Sequence, residues 1–174
     1  MKKLIIFALH NDKKYLNQIK NADHIEKINL NYLSLNSIYQ RNELAENRFF
    51  IYLWNNSNIF ESYEYIGVAS ARWNEKYEVY SKKNVMPLEE INLAVDRFKK
   101  NHVYVAAPIK DWYNESCNMH EGMNFYIDEI LERNNFNKSG LSFYSNNFIC
   151  KKDMFVEFLN GGKKNLIIFL VNMV

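Results

Sequence analysis

The stretches ENRFFIYLWNN, residues 46–56, and YEYIGVASARW, residues 63–73, decide the fold of this chain. In the first stretch the large apolar residues recur at the spacing of one buried helix face, which predicts a helix over residues 43–55 with no Gly or Pro inside it. The second stretch predicts a strand over residues 63–71, in which Gly67 allows a close approach of backbone or ligand. A helix followed at once by a buried strand is typical of α/β domains.

Strands and helices alternate along the rest of the chain as well. Continuous apolar runs such as residues 4–9 are typical of strands in a buried parallel sheet. The predicted strands cover residues 4–9, 25–30, 63–71, 102–107 and 142–150, and the predicted helices cover residues 13–21, 43–55, 87–100, 119–133 and 152–159. We therefore expect one α/β domain, residues 1–174, with a mostly parallel central sheet flanked by helices.

The two ends of the chain carry short apolar runs. Residues 4–9 are followed by polar residues without a small-residue cleavage site, so they predict a buried strand and not a signal peptide. Gly161-Gly162 is predicted to stop the last helix. The run over residues 166–171 is far below the roughly 20 residues that a membrane span requires. It indicates either a packed last helix or a truncated chain.

The composition indicates a globular cytoplasmic protein. The 174 residues are 48% hydrophobic and 16% aromatic, which is far from the signature of disorder. The formal net charge is only +2, so the sequence offers no dense basic surface for a nucleic acid. Cys117 and Cys150 lie far apart without CxxC spacing, and we expect two reduced, buried thiols in the cytoplasm.

Several common catalytic motifs are missing from the sequence. With only 5 Gly, the chain has no P-loop and no GxGxxG, and neither Ser70 nor Ser116 has the glycines of a nucleophile elbow. The 4 His stand singly, without the spacing of a zinc site. No Asp-x-Asp pair is present to hold a divalent cation on a diphosphate. We therefore assign no metal ligands, and a divalent metal is doubtful as a cofactor.

Four segments, in order, resemble a bacterial glycosyltransferase-like family encoded in capsule and lipooligosaccharide gene clusters. They are LIIFALHND at residues 4–12, NELAENRFFIYLWNN at residues 42–56, YIGVASARWNEKY at residues 65–77, and YSNNFICKKDMFVEFLNGG at residues 144–162. The third segment departs from the family, because Ser70-Ala71-Arg72-Trp73 stands where the family has His-Tyr-Arg-Arg. The chain is also shorter than typical members, which suggests a domain shortened at its C-terminus.

The resemblance implies a single Rossmann-like glycosyltransferase A-type domain in the cytoplasm. Such an enzyme moves a sugar from a nucleotide-diphospho-sugar donor to a surface-glycan acceptor of the capsule or lipooligosaccharide. The expected partners are therefore a nucleotide sugar and a glycan or glycolipid, with room for a peripheral membrane contact. The oligomeric state, the donor sugar and the acceptor sugar stay open.

The expected donor site lies beyond the carboxyl ends of the strands, where open α/β sheets bind nucleotides. His10 and Asn11 follow the first strand, and Arg72 follows the strand at residues 63–71, where its planar fork suits a phosphate. The resemblance adds Glu43 of the helix to the substrate-binding residues. It also adds the pair Asn146-Asn147 of the last segment, with Asn146 as the candidate. The alternative for Arg72 is a surface ion pair with Glu43, Glu46 or Glu75.

The expected acceptor site carries the catalytic groups. Asp111 follows the strand at residues 102–107, and an inverting transferase needs a carboxylate or His to take the proton of the acceptor hydroxyl. The resemblance points to His120 and Glu121 as further catalytic candidates, since the family has histidines ahead of its penultimate helix. Trp112 is a candidate sugar-stacking residue, and its alternative role is to cap the core.

Two other function classes stay open. The missing metal pair and the lost second Arg favour a catalytically silent domain that binds a nucleotide sugar or a partner transferase. A structural or interaction protein would instead use a large apolar patch around residues 166–174 for self-association.

Overall fold

The protein is described by a computed structural model over residues 2–36, 39–40, 46–73, 86–98, 103–105, 108–109, 123–135, 142–143 and 147–171. The chain forms two compact units. The larger unit is Met1–Ala106 with Asn146–Val174, and the smaller unit is Ala107–Ser145.

In its described residues, the larger unit contains the main sheet and three α-helices. Its strands are β1 (Lys2–His10), β2 (Ile25–Asn29), β3 (Tyr63–Ser70), β4 (Tyr104–Val105) and β7 (Phe148–Lys151). Its α-helices are α1 (Lys13–Gln18), α2 (Asn47–Asn55) and α4 (Lys152–Val171), and 3-10 turns cover Leu30–Tyr32, Ser57–Ile59 and Leu88–Arg97. The predicted α/β class is confirmed.

The main sheet is mixed, so the prediction of a mostly parallel sheet is wrong. Its strand order is β2-β1-β3-β7-β4. β1 pairs in parallel with β2 and with β3. β7 instead pairs antiparallel with both β3 and β4. A short apolar strand carries the same side-chain pattern in either direction, so the pattern of β7 could not reveal its orientation.

The core lies around β1, β3 and α2. Residues 4–9 of β1 and residues 65–70 of β3 are buried, as continuous apolar strands covered on both faces require. Phe49 of α2 packs on Phe7 of β1 with ring centroids 5.0 Å apart, and both side chains are 0% exposed. Burying an aromatic side chain of this size stabilises the fold by roughly 2–3 kcal/mol.

Helix α4 covers the β3–β7 side of the core and is longer than predicted. Phe155 of α4 packs edge-on against Phe60, with ring centroids 5.5 Å apart. The prediction that Gly161-Gly162 stops this helix is wrong, because α4 continues to Val171. Glycine costs a helix interior only about 1 kcal/mol relative to alanine, so it weakens a helix without necessarily ending it.

Two predicted strands are shorter or divided in the structure. Within residues 102–107 the described strand is β4, Tyr104–Val105. Residues 142–150 contain two strands, β6 (Ser142–Phe143) and β7, which belong to different sheets. The helix predicted from Pro87 is present as 3-10 turns over Leu88–Arg97, and Pro87 is its N-cap.

The described part of the smaller unit consists of a two-stranded sheet and one helix. β5 (Pro108–Ile109) pairs antiparallel with β6. Its helix, α3 (Met123–Asn134), carries an ion pair between Arg133 and Glu129 one turn apart. Asn135 follows with φ 53°, the left-handed conformation that commonly ends a helix.

Within the described ranges, no helix combines the length and the apolar character needed to cross a bilayer.

Candidate functional site

The carboxyl ends of β2, β1 and β3 lie at one edge of the sheet because these strands are parallel. We call it the carboxyl edge, and its strands end at Asn29, His10 and Ser70. β2 lies on one side of β1 and β3 lies on the other, so the strand order reverses at β1. In open α/β sheets, ligands bind beyond the strand ends at such a reversal.

The loop between β1 and α1 is held by its own side chains. The backbone N–H of Asp12 donates to Nδ1 of His10 over 2.8 Å. Since Nδ1 accepts this bond, the proton of a neutral imidazole sits on Nε2. Asp12 in turn accepts from the backbone N–H of Lys14 over 2.8 Å and so caps α1. The loop therefore presents the His10 ring in a fixed orientation.

Tyr15 of α1 brings together side chains from two strand ends. Its ring lies 4.4 Å from the His10 ring, centroid to centroid. The guanidinium carbon of Arg72, which follows β3, lies 5.2 Å from the centre of the same ring. Nζ of Lys14 lies 5.7 Å from it. Cations are attracted to the negative face of an aromatic ring, so Tyr15 collects positive charge beside His10.

Asn11 connects the β1 loop to α2 and to the segment after β2. Nη2 of Arg48, in the first turn of α2, donates to Oδ1 of Asn11 over 2.6 Å. Nδ2 of Asn31 donates to the Asn11 carbonyl over 2.8 Å. Arg48 is only 4% exposed. It borders a cavity of about 230 Å³, which is also lined by Leu30, Asn31, Leu33, Leu35 and Gln40.

Asn147 fixes the other side of the carboxyl edge. Its Oδ1 accepts the buried backbone N–H of Ser70 over 2.6 Å. The Ser70 hydroxyl oxygen accepts the backbone N–H of Arg72 over 3.2 Å, and the N–H of Ala71 donates to the Leu9 carbonyl over 2.9 Å. These bonds hold the backbone that carries Arg72 close to β1. Asn147 directly precedes β7, so the antiparallel strand delivers it to this edge.

The described side chains at the carboxyl edge carry more positive than negative charge. Lys14, Arg48 and Arg72 are cationic, and Asp12 supplies a carboxylate. Arg72 and Lys14 are exposed, whereas Arg48 is buried. The planar fork of the Arg72 guanidinium is suited to donate two parallel hydrogen bonds to an oxyanion.

Three of the predicted site residues are described, and they meet at this edge. His10 and Arg72 contact the same tyrosine ring, and Asn11 joins the loop to α2. The other predicted residues lie outside the described part of the chain: Glu43, Asp111, Trp112, His120, Glu121 and Asn146.

Sequence reasoning missed Tyr15, Asn31 and Arg48. Tyr15 lies in the helix predicted over residues 13–21, and its place next to the His10 loop was the available signal. Arg48 had a clearer signal, because it interrupts the apolar face of α2 with a charge. Asn31 had none, since asparagine is common throughout this chain.

Comparisons of the chain with family models, curated proteins and solved structures found no match. Among the described residues, His, Cys, Asp and Glu side chains form no group of three or more that could hold a metal ion.

Proposed function

We propose that this protein is a glycosyltransferase of the Rossmann-like A-type, with its donor site at the carboxyl edge. The donor is a nucleotide-diphospho-sugar, and the acceptor is a glycan or glycolipid of the capsule or lipooligosaccharide. The observation that carries the proposal is the convergence of His10 and Arg72 on Tyr15 at the strand-order reversal. A nucleotide diphosphate is the anionic ligand that such a reversal commonly binds.

Arg72 is the proposed diphosphate ligand. It lies two residues after the end of β3, its backbone is held by Ser70, and its guanidinium lies over Tyr15. A planar guanidinium can donate two parallel hydrogen bonds to a phosphate. Negative charge grows on the diphosphate as the sugar leaves, so a fixed cation there stabilises the transition state more than the ground state.

The transfer step is a substitution at the anomeric carbon of the donor sugar. The acceptor hydroxyl oxygen forms a bond to that carbon while the bond from that carbon to the diphosphate oxygen breaks. The diphosphate leaves with the electron pair, and a general base takes the hydroxyl proton. We propose Asp111, His120 and Glu121 as candidates for that base, with Trp112, Glu43 and Asn146 as further substrate contacts.

A thermal-shift titration with a panel of nucleotide-diphospho-sugars, with and without manganese, tests the donor site. A donor at about a hundred times its Kd stabilises the folded state by about 2.7 kcal/mol, which raises the Tm of a chain of this size by roughly 5–10 °C. We expect one donor to do so with the wild-type protein, and Arg72→Ala to abolish the shift.

Arg97→Ala is the matched control, because it removes another exposed arginine, in the 3-10 turns of Leu88–Arg97. It should leave the shift unchanged. If no nucleotide sugar stabilises the wild-type protein, or if Arg72→Ala responds like the wild type, the proposed donor site is wrong.

A second candidate function is binding of the nucleotide sugar without turnover. The observation that favours it is the role of Asp12, whose carboxylate caps α1 through the Lys14 N–H. In this role Asp12 supports the fold of the loop and takes no part in the transfer step proposed above. Incubation of the stabilising donor with glycan acceptors separates the two functions, because only the transferase releases the nucleoside diphosphate and extends the acceptor.

A further inference from the structure

A second cavity lies at the opposite end of β3 from the carboxyl edge. Its volume is about 410 Å³, and the end of α2, the turn Ser57–Ile59 and the first turns of α4 surround it. Phe60 and Glu61 line it just before β3 begins at Tyr63. A strand of eight residues spans about 25 Å, so this cavity is distinct from the donor site proposed above.

The floor of the cavity is apolar, and one wall is an indole ring. Leu53, Phe60 and Leu159 line it, and each is at most 4% exposed. Trp54 is half-buried, and its Nε1–H donates to the Leu159 carbonyl over 3.0 Å. This bond fixes the ring and uses its only N–H donor. The indole can therefore offer a ligand the π-system of its ring but no hydrogen bond from nitrogen.

Polar side chains surround this apolar floor. The Ser57 hydroxyl donates to Oε1 of Glu61 over 3.2 Å, and Nζ of Lys152 donates to the Glu61 carbonyl over 2.9 Å. Asn160 also lines the cavity and is exposed. The second carboxylate oxygen of Glu61 and the amide of Asn160 have no hydrogen-bond partner among the described residues. The Glu61 oxygen can accept a hydrogen bond from a ligand, and the Asn160 amide can donate one.

The charges at this cavity balance. Glu61 and Lys152 contribute one negative and one positive charge, so neither an anion nor a cation gains a net attraction. A neutral ligand with both apolar and hydroxyl-bearing surfaces matches the lining best. The C–H groups on one face of a pyranose carry partial positive charge, which suits the negative face of an indole ring. Its hydroxyl groups suit a carboxylate and an amide.

We infer that this cavity is a binding site for a neutral sugar ring, which stacks on Trp54 and donates hydroxyl hydrogen bonds to Glu61. The inference is independent of the proposed donor site, because it uses none of its residues. A flat nucleobase fits less well, since the second aromatic side chain, Phe60, is 2% exposed and belongs to the floor. The cavity therefore offers one ring for stacking and no opposing ring.

Saturation-transfer NMR with glucose, galactose and N-acetylglucosamine tests the inference on the full chain. We expect at least one sugar to receive magnetisation mainly at the C–H protons of one ring face. Trp54→Ala should weaken its binding by about tenfold, as expected for the loss of one stacked ring. Glu61→Gln should weaken it by about threefold, because one acceptor becomes a donor.

The control variant is Tyr32→Ala, which removes an aromatic side chain that is 82% exposed and lies outside the cavity. It should bind the sugar like the wild type. If Trp54→Ala does not fold, Glu61→Gln and Asn160→Ala keep the test intact, because both residues are exposed.

Glucose 1-phosphate and uridine distinguish this cavity from the donor site. At the cavity, glucose 1-phosphate should bind no tighter than glucose, because the lining charges cancel. Uridine should not displace the bound sugar. The inference is overturned if no sugar binds, if Trp54→Ala and Glu61→Gln bind as tightly as the wild type, or if uridine competes for the cavity.

Discussion

The parallel and antiparallel halves of the main sheet are built differently and contribute differently to the carboxyl edge. In the parallel half, β1 has 9 residues and β3 has 8, and both are long apolar runs. In the antiparallel half, β7 has 4 residues and β4 has 2. The long parallel strands place the β1 loop and Arg72 at one edge. The short antiparallel strand brings Asn147 back to that edge, where it holds Ser70.

The parallel strands therefore position the residues of the candidate site, and the antiparallel strand holds the backbone that carries them. Parallel strands deliver several loops to one edge because their carboxyl ends coincide, which is why ligand sites gather there. An antiparallel neighbour starts where they end, so the residue before it can hold their last backbone groups. Gly67 lies at the junction of the two halves, because it pairs with Ile6 of β1 and with Ile149 of β7.

The largest expected effect is at this junction. A Cβ at Gly67 would lie 2.9 Å from Cγ1 of Ile149 and 3.0 Å from Cγ1 of Ile6, which is too close on both sides. Gly67→Val should therefore lower the free energy of unfolding by about 3 kcal/mol through overpacking. Urea denaturation followed by circular dichroism measures the change.

Gly161→Ala is the matched control for that variant. Apart from its chain neighbours and the nearby backbone of its own helix, no heavy atom of the described residues lies within 4 Å of a Cβ built at Gly161, and the residue is inside α4. Alanine should stabilise the protein there by about 0.5–1 kcal/mol. A Gly67→Val protein as stable as the wild type would mean that the two halves are not packed as tightly as this geometry requires.

The second-largest effect is expected at Asn147, through which the antiparallel half holds the backbone of Ser70. Asn147→Ala removes the acceptor of the Ser70 N–H, and a buried N–H without a partner costs about 1–3 kcal/mol. We expect a loss of about 2 kcal/mol in urea denaturation, with faster hydrogen exchange at the Ser70 amide. Asn58→Ala removes an exposed asparagine and should change stability by less than about 0.5 kcal/mol. Unchanged exchange at Ser70 would show that Asn147 does not hold this edge.

The smallest effect is a pH dependence that arises in the antiparallel half. Burial raises the pKa of the Cys150 thiol in β7 from 9.0 to about 12. Below pH 9 the thiol is protonated in the folded and in the unfolded protein. Above pH 9 the unfolded chain loses this proton first, so the free energy of unfolding falls as the pH rises from 9 towards 12.

Because of this thiol, we expect the free energy of unfolding to be about 1 kcal/mol lower at pH 10 than at pH 8. Urea denaturation at both pH values measures the loss, and Cys150→Ala is the control because it lacks that titration. An identical pH dependence in the wild type and in Cys150→Ala would contradict the burial of the thiol.

Much of the larger unit was predictable from the sequence. The apolar runs at residues 4–9 and 63–71 are strands, and the amphipathic stretch before Asn55 is helix α2. These predictions held because burial on both faces of a strand, or on one face of a helix, needs a specific spacing of apolar residues. The placement of His10 and Arg72 at the carboxyl edge was predictable for a related reason, since His10 ends β1 and Arg72 lies just beyond the end of β3.

The contacts within the site were not predictable in this way. Tyr15 contacts His10 locally, but its approach to Arg72 depends on the pairing of β1 with β3. Arg48 interrupts the apolar face of α2, but its contacts with Asn11 and with the segment after β2 depend on how these segments pack together. The smaller unit was the least predictable part, because its described strands have only two residues each.

The sequence by itself determined which segments are strands and helices, because side-chain spacing sets which face of each element is apolar. It also determined that polar and cationic residues follow the ends of β1 and β3. The tertiary structure alone decided the direction of β7, and with it the contact of Asn147 with Ser70 at the carboxyl edge. The physical reason is that strand direction depends on the partner strands across the sheet, whereas an apolar pattern reads the same in both directions.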